Sequence, residues 1–335
     1  TIASSTGNDP GATVESQSKT FDTLREGETL DFSVTSGKLE KNDSGTWETS
    51  GTIDDGDTYR LRRDASSSYS TNVSCTVTFS KNSVNKRSES FTVGTRAQDT
   101  YPASYNLGGP VSFAALNSYK YSSTITVTAI DSDAAPAISI SGTDAVYQIN
   151  GVAWTSTAGT VALNDTVRVR QRAAGTYSTS RTANLNIGGR TDTYIVNSKI
   201  FIPNLANASN VNPSTVVTRN FTVACPSYGS VTFTATNCEL SSDQSTWVSS
   251  LSRTDGQAVY IRATSGANYE DVVTCTVAGG GDSESFIVTT RQEDTTPDAF
   301  TLGSDSGLAR SANSPVSDTA VISGMDAGAT TTASI

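Results

Sequence analysis

One segment recurs three times along the chain, and this repeat constrains the fold more than any other feature. The copies align on Trp47, Trp154 and Trp247, and each tryptophan precedes a run of alternating polar and apolar residues that ends in arginine. A tyrosine stands seven residues beyond that arginine in every copy. The arginine and tyrosine pairs are Arg62 and Tyr69, Arg170 and Tyr177, and Arg262 and Tyr269. This constant spacing indicates three copies of one structural unit.

Each copy closes with a similar phrase, and a proline follows it. The phrases are ESFTVGTR, DTYIVNSK and ESFIVTTR, and the prolines are Pro102, Pro203 and Pro297. Because proline fixes φ and biases the preceding residue towards extended backbone, we expect short linkers between the copies.

The closing phrases set the predicted domain boundaries. They predict a polar lead-in at residues 1–12, repeats at 13–99, 100–198 and 199–293, and the truncated start of a fourth repeat at 294–335. The lead-in is either flexible or the tail of an earlier unit. Because half of a β-domain cannot bury its core, we expect the natural chain to continue beyond Ile335.

The second repeat shows the strand pattern most clearly. Short runs of alternating residues, separated by clusters of Gly, Asn, Asp and Ser, predict strands at 111–114, 125–130, 137–141, 146–149, 166–171, 182–187 and 193–196. Alternation predicts inward side chains at Val167, Val169, Ala183, Leu185 and Ile187, and outward ones at Arg168, Arg170, Asn184 and Asn186. Seven short strands without a convincing helix predict an all-β fold, with one antiparallel sandwich in each repeat.

A resemblance supports this interpretation. The segment VYQINGVAWTSTAGTVALNDTVRVRQRAAGTYSTSRTANLNIGG and the linker DTTP resemble the tandem immunoglobulin-like or fibronectin-type-III-like modules of long bacterial surface proteins and tailed-phage structural proteins. The likeness covers most of the chain and is strongest in the second repeat. It implies tandem immunoglobulin-like β-sandwiches with a spacer, display or adhesive role, and it transfers no catalytic residue. Such modules serve many functions, so the fold alone does not select one.

Composition excludes several classes of function. A net charge of −10 opposes binding to nucleic acid, which depends on clustered Lys and Arg. Histidine is absent, which removes the usual general base near neutral pH and the commonest ligand for zinc. Apolar runs are too short for a membrane-spanning helix, so we expect no membrane insertion.

The tryptophans and tyrosines of the repeat admit two interpretations. Trp47, Trp154 and Trp247 are either a platform on which sugars stack or plugs that cover the end of each core. Their recurrence in every copy favours the core plug, because binding sites tend to be elaborated on one module. The repeated tyrosines are expected to anchor a turn through a hydroxyl bonded to nearby backbone.

An arginine stripe occupies outward positions of the alternating runs. Its members are Arg60, Arg62, Arg168, Arg170, Arg172 and Arg262. The stripe is either a docking surface for an acidic partner or neighbouring subunit, or a set of cross-strand pairs with Asp and Glu. The second interpretation is the commoner one for such a pattern.

Acidic clusters are candidates for calcium at the junctions between units. The candidate ligands are Asp54, Asp55, Asp57, Asp131 and Asp133, although their spacing matches no known calcium loop. We therefore expect no cofactor, with calcium as the alternative. No pair of carboxylates is singled out for glycoside hydrolysis, so we expect no enzymatic activity.

Four cysteines leave the disulfide pattern open. Cys75 and Cys275 occupy equivalent inward positions and are expected to be small buried residues. Cys225 pairs either with Cys238 or with Cys275, or all four remain reduced.

These observations predict a non-enzymatic structural or display protein, a rod-like array of immunoglobulin-like domains in a virion tail, fibre or decoration, or on a bacterial surface. The alternative is a carbohydrate-binding or host-attachment adhesin module. Expected partners are neighbouring subunits or other virion or surface proteins, with surface glycans for the alternative. The expected location is a virion or the cell exterior.

Overall fold

The computed structural model describes residues 1–22, 25, 27–301 and 321–332. All regular structure in these residues is β, and they form no helix. The predicted all-β fold is therefore confirmed. Accordingly, none of these residues belongs to a helix that could cross a membrane.

The first unit contains two facing sheets. Its strands in the described residues are β1 (Ser5–Asn8), β2 (Thr13–Glu15), β3 (Lys19–Thr20), β4 (Thr29–Thr35), β5 (Lys38–Lys41), β6 (Trp47–Glu48), β7 (Ser50–Asp54), β8 (Thr58–Asp64), β9 (Asn72–Lys81) and β10 (Val84–Thr95). One sheet has the order β1-β10-β9-β4-β7. The other has the order β2-β8-β5-β6, with β3 also beside β8.

The second unit repeats this arrangement. Its strands are β11 (Val111–Ala114), β12 (Tyr119–Tyr121), β13 (Ile125–Thr126), β14 (Ala137–Ser141), β15 (Ala145–Ile149), β16 (Gly159–Thr160), β17 (Thr166–Arg172), β18 (Ser180–Ile187) and β19 (Arg190–Ser198). The first sheet has the order β11-β19-β18-β14-β16, and the second has β12, β13 and β15 around β17.

The third unit has the same two sheets with fewer strands. They are β20 (Ala208–Val211), β21 (Val216–Thr222), β22 (Val231–Thr236), β23 (Glu239–Ser241), β24 (Ser250–Arg253), β25 (Ala258–Thr264), β26 (Val272–Gly279) and β27 (Asp282–Thr290). The sheet orders are β20-β27-β26-β22-β24 and β21-β25-β23. Two facing sheets of short, mainly antiparallel strands make each unit an immunoglobulin-like β-sandwich.

Three separate hydrophobic cores fill the sandwiches. They run from Ile2 to Val93, from Leu107 to Val196 and from Ile200 to Val288. The five side chains predicted to face inward in the second repeat are all fully buried. Four predicted strands are one to five residues too short, the predicted strand at 125–130 forms only Ile125–Thr126, and the short strands β12 and β16 were not predicted. Two- or three-residue strands have too few positions for alternation to reveal them.

The start of the chain belongs to the first sandwich, so the predicted lead-in at residues 1–12 is wrong. β1 lies parallel to β10, just as β11 lies parallel to β19 and β20 to β27. Ile2 is buried in the first core. The segment STGN has no apolar alternation because backbone hydrogen bonds at a sheet edge hold it, and these leave no trace in the sequence. The predicted fourth repeat falls partly on residues 302–320 and 333–335, which lie outside the described residues.

A disulfide joins Cys238 and Cys275, with their Cα atoms 5.4 Å apart. Cys225 therefore forms neither of the two disulfides considered for it, with Cys238 or with Cys275. Cys225 and Cys75 are buried free thiols, and burial raises the pKa of both. Cys238 stands just before β23, at a position that Gly37 holds before β5 in the first unit. A Cβ on Gly37 would lie 2.5 Å from the Cβ of Cys75. The two segments that the disulfide joins in the third unit therefore also lie in close contact in the first unit.

Removal of this disulfide should destabilise the third unit selectively. The bridge spans 37 residues, and a loop of that length corresponds to about 4 kcal/mol of lost chain entropy in the unfolded state. We expect the double variant Cys238→Ala/Cys275→Ala to unfold one domain at lower urea, with dithiothreitol lowering the wild type to the same midpoint. Dithiothreitol should leave the double variant unchanged, and an effect on the variant would contradict the assignment.

Candidate functional site

The three tryptophans lie on the outer surface of the sandwiches and are half-buried. None belongs to a hydrophobic core, so the core-plug interpretation is wrong. Each indole instead stacks on the repeated arginine of the central strand, at centroid distances of 4.4, 4.7 and 4.6 Å; the pairs are Trp47 and Arg62, Trp154 and Arg170, and Trp247 and Arg262. The arginine faces outward by strand alternation, and the indole follows it because its ring attracts the guanidinium.

In the second unit this contact extends into a row of six side chains, which we name the arginine–aromatic ladder. Its members are Arg168, Arg170, Arg172, Tyr119, Tyr121 and Trp154. β12 runs antiparallel to β17 and sets Tyr119 opposite Arg172 and Tyr121 opposite Arg170. The Arg170 guanidinium lies 4.3 Å from the Tyr119 centroid and 4.7 Å from that of Trp154, so it contacts both rings.

The remaining arginines of the ladder also contact rings. Arg168 lies 4.9 Å from the ring centroid of Tyr121, and Arg172 lies 5.9 Å from that of Tyr119. The rings of Tyr121 and Trp154 contact each other at 5.6 Å. Tyr119 and Tyr121 are 46% and 45% exposed, so the ladder is open to solvent. Tyr119 and Tyr121 were not among the predicted site residues. The pattern YKY could have indicated them, because alternate residues of a strand share a face.

Charge distinguishes the ladder from the matching surfaces of the other units. Arg60 pairs with the buried Glu40 and with Glu15 in the first unit, and Arg262 pairs with Glu239 at 2.6 Å in the third. The predicted cross-strand pairing is therefore present in these two units. It is absent from the second unit, where Gln148 stands opposite Arg168 and none of the three ladder arginines has an ion pair within the described residues.

A second candidate site is the contact between the first and second units. The Arg96 guanidinium donates to both carboxylate oxygens of Asp131, at 2.7 and 2.6 Å. The backbone N–H of Asp99 donates to the same carboxylate at 2.7 Å, and Arg96 also stacks on Tyr69. The hydrogen bonds from Arg96, followed by the one from Asp99, lower the pKa of the Asp131 carboxyl to about 2.

The same contact recurs 195 residues later (291 − 96) around Arg291. Arg291 pairs with Asp326, whose carboxylate also accepts the N–H of Asp294, and it stacks on Tyr269. Both pairs have a sequence separation of 35 residues. The repeated tyrosines Tyr69 and Tyr269 thus lie at unit boundaries and contact the junction arginine, rather than anchoring a turn through nearby backbone as predicted.

The junction between the second and third units is built differently. Lys199 takes the place of the arginine and pairs with Asp282 at 2.8 Å. The rings of Phe113 and Tyr228 stack at 4.6 Å across the junction, and the Tyr228 hydroxyl donates to the Ser198 carbonyl. Cys225 occupies the aligned position of Asp131, so the acid that the other two junctions use is missing there.

The five calcium candidates are not brought together as one site. The Asp131 carboxylate is engaged by Arg96, and Asp133 accepts from Tyr69 and Gln98. Asp57 accepts from the backbone of Asp54 in a turn of the first unit, where Asp55 also lies. No group of three or more His, Cys, Asp or Glu in the described part of the chain is arranged to hold a metal ion. Calcium binding stays a prediction.

Comparisons with known proteins find similar structures but no similar sequence. No protein-family model matches the chain, and no curated protein matches it in sequence. The I9–I11 tandem of titin shares 9% identity over 87% of this chain and 99% of its own, with a TM-score of 0.32. The Escherichia coli adhesin FdeC shares 13% identity over 85% of this chain and 94% of its own, and its TM-score is also 0.32. At these scores the likeness carries no argument about function, and the immunoglobulin-like assignment depends on the sheets described above.

The outer position of the tryptophans predicts a modest contribution to stability. We expect Trp247→Ala to lower the free energy of unfolding of the third unit by about 1–2 kcal/mol, since it loses one cation–π contact and partial burial. Phe233→Ala, in the core of the same unit, is the matched control and should cost about 3–5 kcal/mol. Urea denaturation measures both, and equal losses would restore the core-plug interpretation.

The first junction should be sensitive to acid in a defined range. The pKa of Asp131 is lower at the junction than its ordinary value of 3.8, so the contact is complete above pH 4 and is lost as pH falls towards about 2. Spin labels on units one and two should report a constant distance from pH 7 to 4 and a broader distribution below. Asp131→Asn should be broad at every pH, and a narrow distribution for this variant would count against the contact.

Proposed function

We propose that the chain is a non-enzymatic structural or display element, an array of immunoglobulin-like domains in a virion tail, fibre or decoration or on a bacterial surface. Its task is mechanical: it sets the spacing and the orientation of successive domains. Its partners are neighbouring subunits or other virion or surface proteins.

The observation that carries this proposal is the junction contact that recurs around Arg96 and Arg291. A bidentate arginine–carboxylate pair fixes geometry as well as distance, because two parallel hydrogen bonds restrict rotation. The backbone N–H of the linker residue binds the same carboxylate at both places. An arrangement that joins linker, preceding unit and following unit at one carboxylate supports a role in which orientation matters.

The outer faces of the sheets support the same role. Serine and threonine hydroxyls pair across neighbouring strands on these faces, as in Ser74 with Thr92, Thr76 with Ser90 and Thr276 with Ser285. Such pairs satisfy the hydrogen-bonding groups of the exposed faces without charged or apolar side chains. This limits association between copies of the chain. A disulfide in the third unit is typical of proteins that fold in an oxidising compartment, which supports a location outside the cytoplasm.

A second candidate function is a carbohydrate-binding or host-attachment module. The half-buried Trp154 and the exposed Tyr119 and Tyr121 favour it, since aromatic side chains with accessible polar edges are common in binding surfaces. This candidate is compatible with the structural role, because a display element carries a binding surface to its target.

A matched pair of variants tests the structural proposal. Arg96 has two acidic partners, Asp131 across the junction and Asp9 within the first unit. We expect Asp131→Asn to broaden the distribution of angles between units one and two in electron-microscopy class averages. Asp9→Asn should leave the distribution unchanged. The proposal would be wrong if wild type were as variable as the Asp131 variant, because a spacer with free joints sets no orientation.

A further inference from the structure

The ladder arginines have hydrogen-bonding capacity that the protein does not use. Arg168 donates through Nε to the Ser122 carbonyl at 3.1 Å, and Arg172 donates through Nε to the Asn117 carbonyl at 3.2 Å. The Nε of Arg170 is buried and has no hydrogen-bond partner among the described residues. These are the only hydrogen bonds that the three guanidinium groups make with described residues. Their terminal N–H groups therefore remain available.

Stacking orients these groups without consuming them. The five N–H donors of a guanidinium lie in its plane, whereas an aromatic ring contacts its face. Arg170 contacts the rings of both Tyr119 and Trp154, which reduces the side-chain entropy that binding would otherwise cost. The ladder thus presents ordered donors at its outer edge, in the geometry that carboxylate and sulfate groups accept.

We propose that the arginine–aromatic ladder of the second unit binds a linear polysaccharide that carries carboxylate or sulfate groups. The inference names the ligand class of the second candidate function and rests on it, but it does not depend on the mechanical role of the junctions. Arg168, Arg170 and Arg172 are alternate residues of one strand, so their side chains repeat about every 7 Å along one face. A row of this kind matches an extended polymer with repeated anionic groups.

The occupied ring faces argue against a neutral sugar. Stacking of a sugar requires a bare aromatic face, whereas the rings of Tyr119, Tyr121 and Trp154 each already contact a guanidinium, and those of Tyr121 and Trp154 also contact each other. The tyrosine hydroxyls at the exposed rim can still donate to and accept from sugar hydroxyls. Ionic recognition by the arginines therefore dominates, with hydrogen bonds from the phenols beside it.

Two further classes of partner fit the ladder less well. Peptide interfaces depend on aromatic or arginine anchors buried in pockets, and the two tyrosines of the ladder are nearly half exposed. Nucleic acid binding depends on a positive field over a large surface, which a net charge of −10 opposes. A short-range contact with an anionic sugar chain does not require such a field.

The other units supply matched controls. Arg262 occupies the place of Arg170 and stacks on Trp247 in the same way, but Glu239 already binds its guanidinium. Arg60 is likewise bound by Glu40. If the ladder binds the polymer, an arginine that a carboxylate already holds, such as Arg262, should contribute little.

Binding of the full chain to dextran sulfate and to polygalacturonate, measured by biolayer interferometry at low salt, tests the proposal. Neutral dextran shares the backbone of dextran sulfate and should not bind, and poly-glutamate should bind at least tenfold more weakly. The triple variant Arg168→Gln/Arg170→Gln/Arg172→Gln should lose at least tenfold in affinity, whereas Arg262→Gln should stay within twofold of wild type. Raising the salt concentration should weaken binding. Circular dichroism and the melting temperature establish that each variant is folded.

A lysine variant tests whether binding requires the planar guanidinium groups or only their positive charge. Arg168→Lys/Arg170→Lys/Arg172→Lys keeps the charge but lacks the planar fork, so we expect a loss of at least fivefold. Full affinity of this variant would overturn the role of the stacked guanidinium planes. Equal binding of poly-glutamate would make an acidic peptide the occupant and overturn the polysaccharide. Binding that the triple glutamine variant retains would exclude the ladder but leave an attachment function. No binding of either polyanion would overturn the ladder proposal.

Discussion

Each unit of this chain depends on burying one face of two small sheets against each other. The central strands show how this is done: in β17, Val167 and Val169 are fully buried, while the arginines between them reach the surface. β8 and β25 follow the same alternation. Because burial of apolar area is the main favourable term in folding, the inward positions must stay apolar in every copy. The outward positions are free of that requirement.

This freedom explains how similar surfaces acquired different chemistry. The repeated arginine and tryptophan stack in all three units. In the first and third units, glutamates neutralise arginines of the same face. In the second unit, Gln148 replaces one such acid and β12 adds two tyrosines, so stacking takes the place of ion pairing. Neither change disturbs the core, since both lie on the solvent side of the sheet.

Separate cores have a further consequence, because they do not by themselves orient one unit relative to the next. Each junction needs contacts of its own. Two of them use a carboxylate that accepts hydrogen bonds from an arginine and from a linker N–H. The junction between the second and third units uses a lysine–aspartate pair and stacked aromatic rings instead. The ionic junctions fix direction through the geometry of their hydrogen bonds. The aromatic junction adds apolar contact at the one place where the junction acid is a cysteine.

The repeat, the all-β class and the inward face of the main strands can be read from the amino-acid sequence alone, because period-two alternation is a local property that burial enforces. The sequence could not reveal β1, whose place comes from backbone hydrogen bonds to a strand about ninety residues away, a separation that only the pairing shows. It also misjudged the tryptophans, since a large apolar residue beside a turn suits a core as well as a guanidinium. Three contacts are visible only in the folded chain: the disulfide of Cys238 with Cys275, the pair of Asp131 with Arg96, and the pairing of β12, with its two tyrosines, beside the arginines of β17. Each of these is a contact between distant segments, and such contacts depend on strand order and register rather than on local pattern.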